Sequence, residues 1–408
     1  MRLSEELQWR GFVNQTTYTD IADLDIDDNN GPISFYWGVD PSADSMHIGQ
    51  LAMAMMIKHF IKAGHNATLL VGGATGMIGD PDGKAEERDL KSDEELQRNV
   101  AGISHQYQNL FEGLNFDVVN NYDWFKGIGF LNFLRDIGKY VPMSQMLGRE
   151  FVQSRLGDDG KGISYAEFSY SLIQGYDFLH LSREKEITLQ VAGADQWGNS
   201  IAGVDLIRRI DGKEAHIWTA PLILNKTTGK KFGKSEDGAV WLDEKKTSVF
   251  KFYQFWLNAD DAGAIDYLKV FTMLGLDEIN AVQQQAIQNP SARAAQKTLA
   301  HEVTSIVHGA ERTASVERVT SALFGGIQFN ELSTEDIDVL AGEIPVVGIN
   351  TSLVEILVSS NVASSNGDAR RLIEGGAVSV NGEKVAEDAT ITEVSLVKKG
   401  KNSFILVR

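Results

Sequence analysis

The chain has 408 residues, a net charge of −18 and no cysteine. Its length allows two or three domains. The charge argues against a protein that grips nucleic acid through a broad positive field, and the missing cysteines exclude disulfides and thiolate metal sites and fit a reducing, cytoplasmic setting.

Hydrophobic content of 43% and charged content of 23% are those of an ordinary globular protein. No apolar run approaches transmembrane length, and Met1 to Asp20 reads as neither a signal nor a transit peptide.

The first half alternates strands, glycine turns and helices. Ile33 to Trp37 is expected as a strand ending at Gly38, followed by a helix from about Ile48 to Ala63. Further strands are expected at Ala67 to Val71, Ile187 to Val191 and Pro221 to Leu224. The pattern implies an α/β fold built on a doubly wound parallel sheet, whose ligands sit at the carboxyl ends of the strands. Domain boundaries follow: 1–248 as a Rossmann-like catalytic domain with a loop at 226–240, 249–325 as an α-helical domain, 326–350 as an aperiodic linker and 351–408 as a small α+β module. In the helical domain Ser291 is expected to cap a helix running to Gly309. In the last module helices are expected at Leu353 to Ser359 and Gly367 to Glu374, then a tight hairpin over Val378 to Val385.

His47 falls in the turn before a helix, where unpaired N–H groups and the positive dipole end favour phosphate. Gly49 lets a flat ring lie against the backbone. His47-Ile48-Gly49 alone reads as readily as an ordinary surface histidine beside a helix start. Lys226, Lys230, Lys231 and Lys234 crowd a loop spaced by Gly229 and Gly233. Ammonium groups on such a loop can stabilise charge on a pyrophosphate, although a solvated lysine loop is the commoner fate of such a run. Lys84 and Arg88 form a second cationic pair, which by itself reads as surface charge.

Phe168 to Leu179 reads as a helix with Tyr170, Gln174 and Asp177 on one face. A solvent-facing stripe is the plain reading, but Leu172, Ile173, Phe178 and Leu179 suggest burial, where an aspartate needs a partner.

Taken together, the His47-Ile48-Gly49-Gln50 and Lys231-Phe232-Gly233-Lys234-Ser235 motifs resemble the two signatures of the class I aminoacyl-tRNA synthetases. Tyr36 to Ser45, Val71 to Pro81, Glu167 to Tyr170 and Gly193 to Asn199 carry a nearer resemblance, to the bacterial tyrosyl-tRNA synthetases, over nearly the whole chain. That resemblance implies ATP-driven activation of L-tyrosine and transfer to its tRNA. It places Tyr36 and Asp177 on the phenolic hydroxyl, Asp80, Tyr170 and Gln174 on the ammonium group and Gln196 near the carboxylate. It places Gly38, Asp40, Ser42, His47, Gly49, Gln50, Gly193, Asp195, Lys231, Phe232, Gly233, Lys234 and Ser235 around ATP, with Lys84 and Arg88 assisting. Magnesium is expected to arrive with the nucleotide, with no metal held by the protein. A homodimer is implied, joined between about Phe130 and Tyr165.

Three positions depart from the family pattern, all on the ATP side: Gln50 for the second signature histidine, Trp37 for a frequent cysteine and Met53 for a polar residue.

Residues 351–408 balance seven Lys and Arg against seven Asp and Glu, so the rest carries the whole charge excess. Ser365 to Val378 with Val380-Asn381-Gly382 resembles a small RNA-binding module, which puts Arg370, Arg371, Lys384, Lys398, Lys399 and Lys401 toward RNA phosphates. Three other readings stay open at this point: a nucleotidyltransferase acting on a small metabolite, a tryptophanyl-tRNA synthetase, and a catalytically silent RNA-binding relative. The intact Tyr36 and Asp177 pair speaks against the second, and intact Lys231, Lys234 and Asp177 against the third.

Overall fold

A computed structural model describes residues 1–28, 30–81, 91–148, 150–156, 162–229, 232–235 and 238–408, with the backbone alone at 145, 150, 151, 154, 234 and 235. Two compact units emerge, Met1–Thr247 with Asn258–Leu299, and Ser248–Leu257 with Ala300–Arg408.

The first unit is built on six strands: β1 (Gln15–Thr16), β2 (Ser34–Val39), β3 (Asn66–Val71), β4 (Phe116–Asn120), β5 (Leu189–Gly193) and β6 (His216–Ala220). Their order is β1-β6-β5-β2-β3-β4, parallel except for the short edge strand β1. From β2 the chain steps one way to β3, while β5 closes the other side, so the topology switches beside β2. Strands β2 and β3 are almost wholly buried, as expected of a parallel sheet covered on both faces.

Arg10, at the end of the helix Leu3–Arg10, donates to the carbonyls of Lys269, Thr272 and Leu274. A buried guanidinium thereby ties the N-terminal helix to the segment around 270.

Helix Tyr165–Lys185 lies close against helix Trp197–Asp211. A Cβ at Gly203 would stand 2.8 Å from Cβ of Phe178, and one at Gly175 would stand 3.2 Å from the facing backbone. Glycine at both places lets the helices approach, which keeps Asp177 inside the fold.

The expected strand at Pro221 to Leu224 is corrected. The strand is His216–Ala220, richer in β-formers, and it stops at Pro221, which has no N–H to continue the ladder. Ser291 is not a helix cap: Pro290–Ala292 forms a 3₁₀ turn, Arg293 takes a φ of 52°, and the helix is Ala294–His308.

In the second unit, a sheet of order β12-β11-β14-β15-β9 combines β9 (Val346–Val347), β11 (Val378–Val380), β12 (Glu383–Lys384), β14 (Ser395–Lys399) and β15 (Ser403–Val407). A two-strand ladder of β10 (Thr351–Ser352) and β13 (Thr390–Ile391) accompanies it. The expected hairpin is present, turning on Asn381 and Gly382 with φ of 50° and 90°. Helices Leu353–Ser359 and Asn366–Glu374 pack on one apolar cluster with Val378, Val397 and Ile405. A second cluster joins Leu396, Phe404 and Leu406 to Leu323, Phe329 and Leu340.

The aperiodic stretch 326–350 contains helix Thr334–Ala341, capped by Ser333. Its Asp336 is fully buried and accepts from Arg318 Nε and Nη2 at 2.7 and 2.8 Å, from Ser315 and from the Ser333 N–H. Burial pushes this carboxyl up, but the hydrogen bonds from Arg318, Ser315 and Ser333 outweigh it and hold it at about 2. A lowered folded value contributes stability above the ordinary carboxylate range, lost as pH falls toward about 2. Arg318→Ala is therefore expected to cost about 2–3 kcal/mol at neutral pH, less than a fully buried pair because the guanidinium is half exposed. Amide exchange across 334–341 in both proteins checks this, and the gap between them should narrow as pH falls from 4 to about 2.

Candidate active site

The carboxyl ends of β2, β3 and β5 surround a cavity of about 380 Å³. Tyr36, Gly38, Asp40 and Ser42 reach it from β2 and the turn beyond. Asp80 comes from the segment after β3, and Gly193, Asp195 and Gln196 from the end of β5. Tyr170, Gln174 and Asp177 come from helix Tyr165–Lys185, and His47 and Gln50 from the start of helix Ile48–Lys62. Four aspartates and no described lysine or arginine line this space, so it suits a cationic group.

Asp177 is 2% exposed. Its Oδ2 accepts from Asn121 Nδ2 at 3.0 Å and its Oδ1 from Trp124 Nε1 at 2.9 Å. Burial pushes its pKa up to about 8 against the pull of those two donors. Tyr36 Oη is buried and has no hydrogen-bond partner among the described residues. Burial, with Asp177 nearby, raises this phenol well above its usual range, so it stays protonated and can donate. A buried carboxylate and a partnerless buried hydroxyl on one cavity suit a ligand that offers its own hydroxyl.

Asp40 accepts from Tyr170 Oη at 2.7 Å and from Thr75 Oγ1 at 2.6 Å. Asn121 Nδ2 also bonds Thr75 Oγ1, at 3.0 Å. Asp40 and Asp177 are thus joined by one chain of hydrogen bonds. On the other wall, Gln196 Nε2 donates to Asp80 at 2.6 Å, and Asn199 Nδ2 to Gln196 Oε1 at 3.2 Å.

A second cavity of about 490 Å³ adjoins the first, sharing His47, Gln50, Gly193 and Asp195. Gly49, Phe232 and Gly233 also line it. His47 caps its helix: its Nδ1 accepts from Gly49 N–H at 3.0 Å, which places the proton of the neutral ring on Nε2. Gln50 Oε1 accepts from His47 N–H at 2.9 Å. The lysine loop meets this helix start, since a Cβ at Gly233 would lie 3.4 Å from Ile48 and the Ile48 N–H donates to the Val240 carbonyl. Phe232 stacks on Tyr267 with ring centres 4.2 Å apart. Trp37 and Met53 both line the first cavity, and Met53 reaches the second as well.

Lys84, Arg88, Lys230 and Lys231 lie outside the described residues, and the side chains of Lys234 and Ser235 are likewise undescribed. Lys234 and Ser235 form β7, paired with β8 (Gly238–Ala239). The sequence reading missed Thr75, Asn121, Trp124, Gln190 and Asn199. Each stands in or just after a strand, or one turn into the next helix, and polar residues at strand ends were the available signal. In the second unit Arg370, Arg371, Lys384 and Lys401 are exposed and Lys399 is half-buried. Lys398 is engaged otherwise: its Nζ donates to the Leu323 carbonyl and sits 5.1 Å from the Phe404 ring centre.

Among the described residues, no three or more His, Asp or Glu gather to hold a metal ion, and no helix is long and apolar enough to cross a membrane.

Residues 28–325 match the family model of the class I tRNA synthetases (W and Y), and residues 336–408 match the tyrosine--tRNA ligase SYY-like C-terminal domain. A tyrosine--tRNA ligase of Staphylococcus haemolyticus is 43% identical over 420 residues, covering 99% of this chain and 98% of its own. A C-terminally truncated mitochondrial tyrosyl-tRNA synthetase of Aspergillus nidulans superposes with a TM-score of 0.71 at 30% identity, over 79% of this chain and 94% of that one. The tyrosyl-tRNA synthetase of Archaeoglobus fulgidus, solved with L-tyrosine, shares only the fold, with a TM-score of 0.57 at 12% identity over 76% of this chain and 99% of its own. On the matched family model and a relative spanning nearly the whole of both chains, this chain belongs to the class I tRNA synthetases, and within them to the tyrosine--tRNA ligases.

Proposed function

We propose that the first cavity takes L-tyrosine and the second ATP, and that the two substrates react where the cavities meet. The observation that carries this is the buried pair of Asp177 and Tyr36, a carboxylate and a partnerless hydroxyl lining the same cavity. A phenol donates to Asp177 and accepts from Tyr36. The substrate ammonium goes to Asp80, Tyr170 and Gln174, and its carboxylate toward Gln196 and the second cavity.

A carboxylate oxygen of tyrosine then attacks the α-phosphorus of ATP in line. The bond to the bridging oxygen breaks, its electron pair leaves with pyrophosphate, and tyrosyl-adenylate forms. No protein base is needed, because the attacking carboxylate is already charged. The protein supplies position and charge. His47 Nε2–H and the Gln50 amide donate to phosphate oxygens, and Lys231 and Lys234 follow the charge onto the leaving pyrophosphate. Gly38, Asp40, Ser42, Gly49, Gly193, Asp195, Phe232, Gly233 and Ser235 shape the nucleotide site, with Lys84 and Arg88 as further cations. Magnesium comes on the triphosphate. In the second reaction a terminal ribose hydroxyl of the tRNA attacks the acyl carbon and AMP leaves.

ATP–pyrophosphate exchange with each amino acid in turn tests this reading. Tyrosine alone should support it. Exchange supported by tryptophan, or by no amino acid, would overturn it.

Asp177 adds a pH dependence. Its pKa of about 8 lies above the unfolded carboxylate value, so this group favours the folded protein at low pH, and that contribution is lost as pH rises to about 8. Tyrosine binding to the ionised form is penalised below that value. The dissociation constant for tyrosine should fall about tenfold from pH 7 to 8.5. A flat profile would show that Asp177 is already ionised at pH 7.

The exposed arginines of the second unit support tRNA binding by its C-terminal module. Truncation at 351 is a poor test, because Leu396, Phe404 and Leu406 complete a core with Leu323 and Phe329. The double change Arg370→Glu, Arg371→Glu is cleaner. It should lower tRNA charging about tenfold or more, reduce the salt slope by about 2, and leave pyrophosphate exchange intact. Exposed Phe130, Leu131, Met143 and Tyr165 support the homodimer reading. A cytoplasmic location fits a chain without cysteine.

A further inference from the structure

We infer that His180 is a positioning residue for the substrate hydroxyl, acting on Asp177 through the ring of Trp124. This rests on reading Asp177 as the acceptor of that hydroxyl. His180 follows Asp177 by three residues on helix Tyr165–Lys185, so it sits almost one turn further along the same side. Its imidazole stacks on the indole of Trp124, with ring centres 4.5 Å apart and planes 26° from parallel. The indole Nε1 donates to Asp177 Oδ1 at 2.9 Å. Trp124 belongs to a single-turn helix, Tyr122–Phe125, and is only half-buried.

Both rings also line an open cleft of about 460 Å³, bounded by Val100, Val118, Leu181 and Glu184. On that side the core does not close over the indole, and the imidazole face sets its angle. Asp177 has two donors, and Asn121 Nδ2 also bonds Thr75, so the indole is the donor that serves this carboxylate alone. A small tilt of the indole lengthens that bond and turns the Oδ atoms away from the place where the phenol must donate. His180 touches no substrate atom on this account.

The test is a set of variants assayed by tyrosine-dependent pyrophosphate exchange, with phenylalanine as the competitor lacking the hydroxyl. His180→Ala should raise the KM for tyrosine about tenfold, lower the preference over phenylalanine by a similar factor, and leave the KM for ATP unchanged. His180→Phe, which keeps a flat ring, should return the KM to within about twofold. Trp124→Phe removes the Nε1 donor, so adding His180→Ala to it should cost less than about twofold more. Tyrosine and ATP KM rising together in His180→Ala, or the full tenfold cost persisting in the Trp124→Phe background, would overturn the inference. Asp177→Ala serves as the control. If that variant keeps its preference for tyrosine, the reading of Asp177 falls; if it loses the preference while His180→Ala keeps it, only the role of His180 falls.

Discussion

Asp177→Ala is expected to lower kcat/KM for tyrosine about 10³-fold in pyrophosphate exchange, with the KM for ATP within about twofold of the parent. On the proposed reading the change removes the acceptor for the phenol. It also strands two donors, Asn121 Nδ2 and Trp124 Nε1, in a place where Asp177 is 2% exposed. The stranded donors weaken the fold with or without substrate, whereas the phenol itself loses a bond to a charged acceptor, about 1.5–3 kcal/mol, and is left unpaired in a buried place, about 1–3 kcal/mol more, which together reach the expected loss. The loss should be confined to substrates that carry the hydroxyl. Phenylalanine, expected to be a poor substrate for the parent, should be used about as well by the variant, since a site built to bond a hydroxyl rejects the analogue through its own unpaired groups; tyrosyl-tRNA synthetase is the stock illustration of that rule. A variant that lost tyrosine and phenylalanine equally would show that Asp177 supports the fold and not the recognition.

The double replacement Lys231→Ala, Lys234→Ala is expected to slow adenylate formation by about 10³-fold or more, at about 10²–10³ for each lost cation, while tyrosine binds as before. The reason is timing. Charge moves onto the bridging oxygen and the leaving pyrophosphate only as the bond breaks, so cations in the proposed role would stabilise the transition state more than the bound substrates. The loop is anchored where it is needed: Gly233 lies against the start of helix Ile48–Lys62, and Phe232 rests on Tyr267. Single-turnover adenylate formation with titrated tyrosine separates the two effects. A fall in tyrosine affinity with an unchanged rate constant would contradict the assignment.

Much of the fold was legible because the sheet is parallel and its strands are buried on both faces. Ile33 to Trp37 and Ala67 to Val71 read as strands on apolar content and glycine ends alone, and the strands Ser34–Val39 and Asn66–Val71 lie within two residues of those bounds. Helix Tyr165–Lys185 was legible in its centre, because Phe168, Leu172 and Leu179 follow one another at four and seven residues, but its Ser164 cap and its last turn were not. Strand β6 was misplaced by five residues because Pro221 to Leu224 is as apolar as His216 to Ala220, and a proline was read as a start when it marks a stop. Helix Thr334–Ala341 was hidden by its shortness, and Ser333 with Asp336 was the cap signal to read.

Tyr36, His47 and Asp177 were each picked out from a single element, and all three line the first cavity. The candidate site was not legible where the partner comes from far along the chain. Asn121 and Trp124 meet Asp177 from more than fifty residues away, and Thr75 meets Asp40 from thirty-five. Such pairings are set by strand order and register, which residue spacing does not contain. Lys398 shows the reverse. Its charge suggested RNA, while its tertiary position gives it the carbonyl of Leu323.

The most direct trial of the account is a crystal structure of the full chain with a stable analogue of tyrosyl-adenylate. The phenolic oxygen is expected between Asp177 and Tyr36, at about 2.6–3.2 Å from each, with the adenosine reaching toward His47 and Gly49. An aromatic ring lodged elsewhere, with Asp177 still bonded only to Asn121 and Trp124, would contradict it.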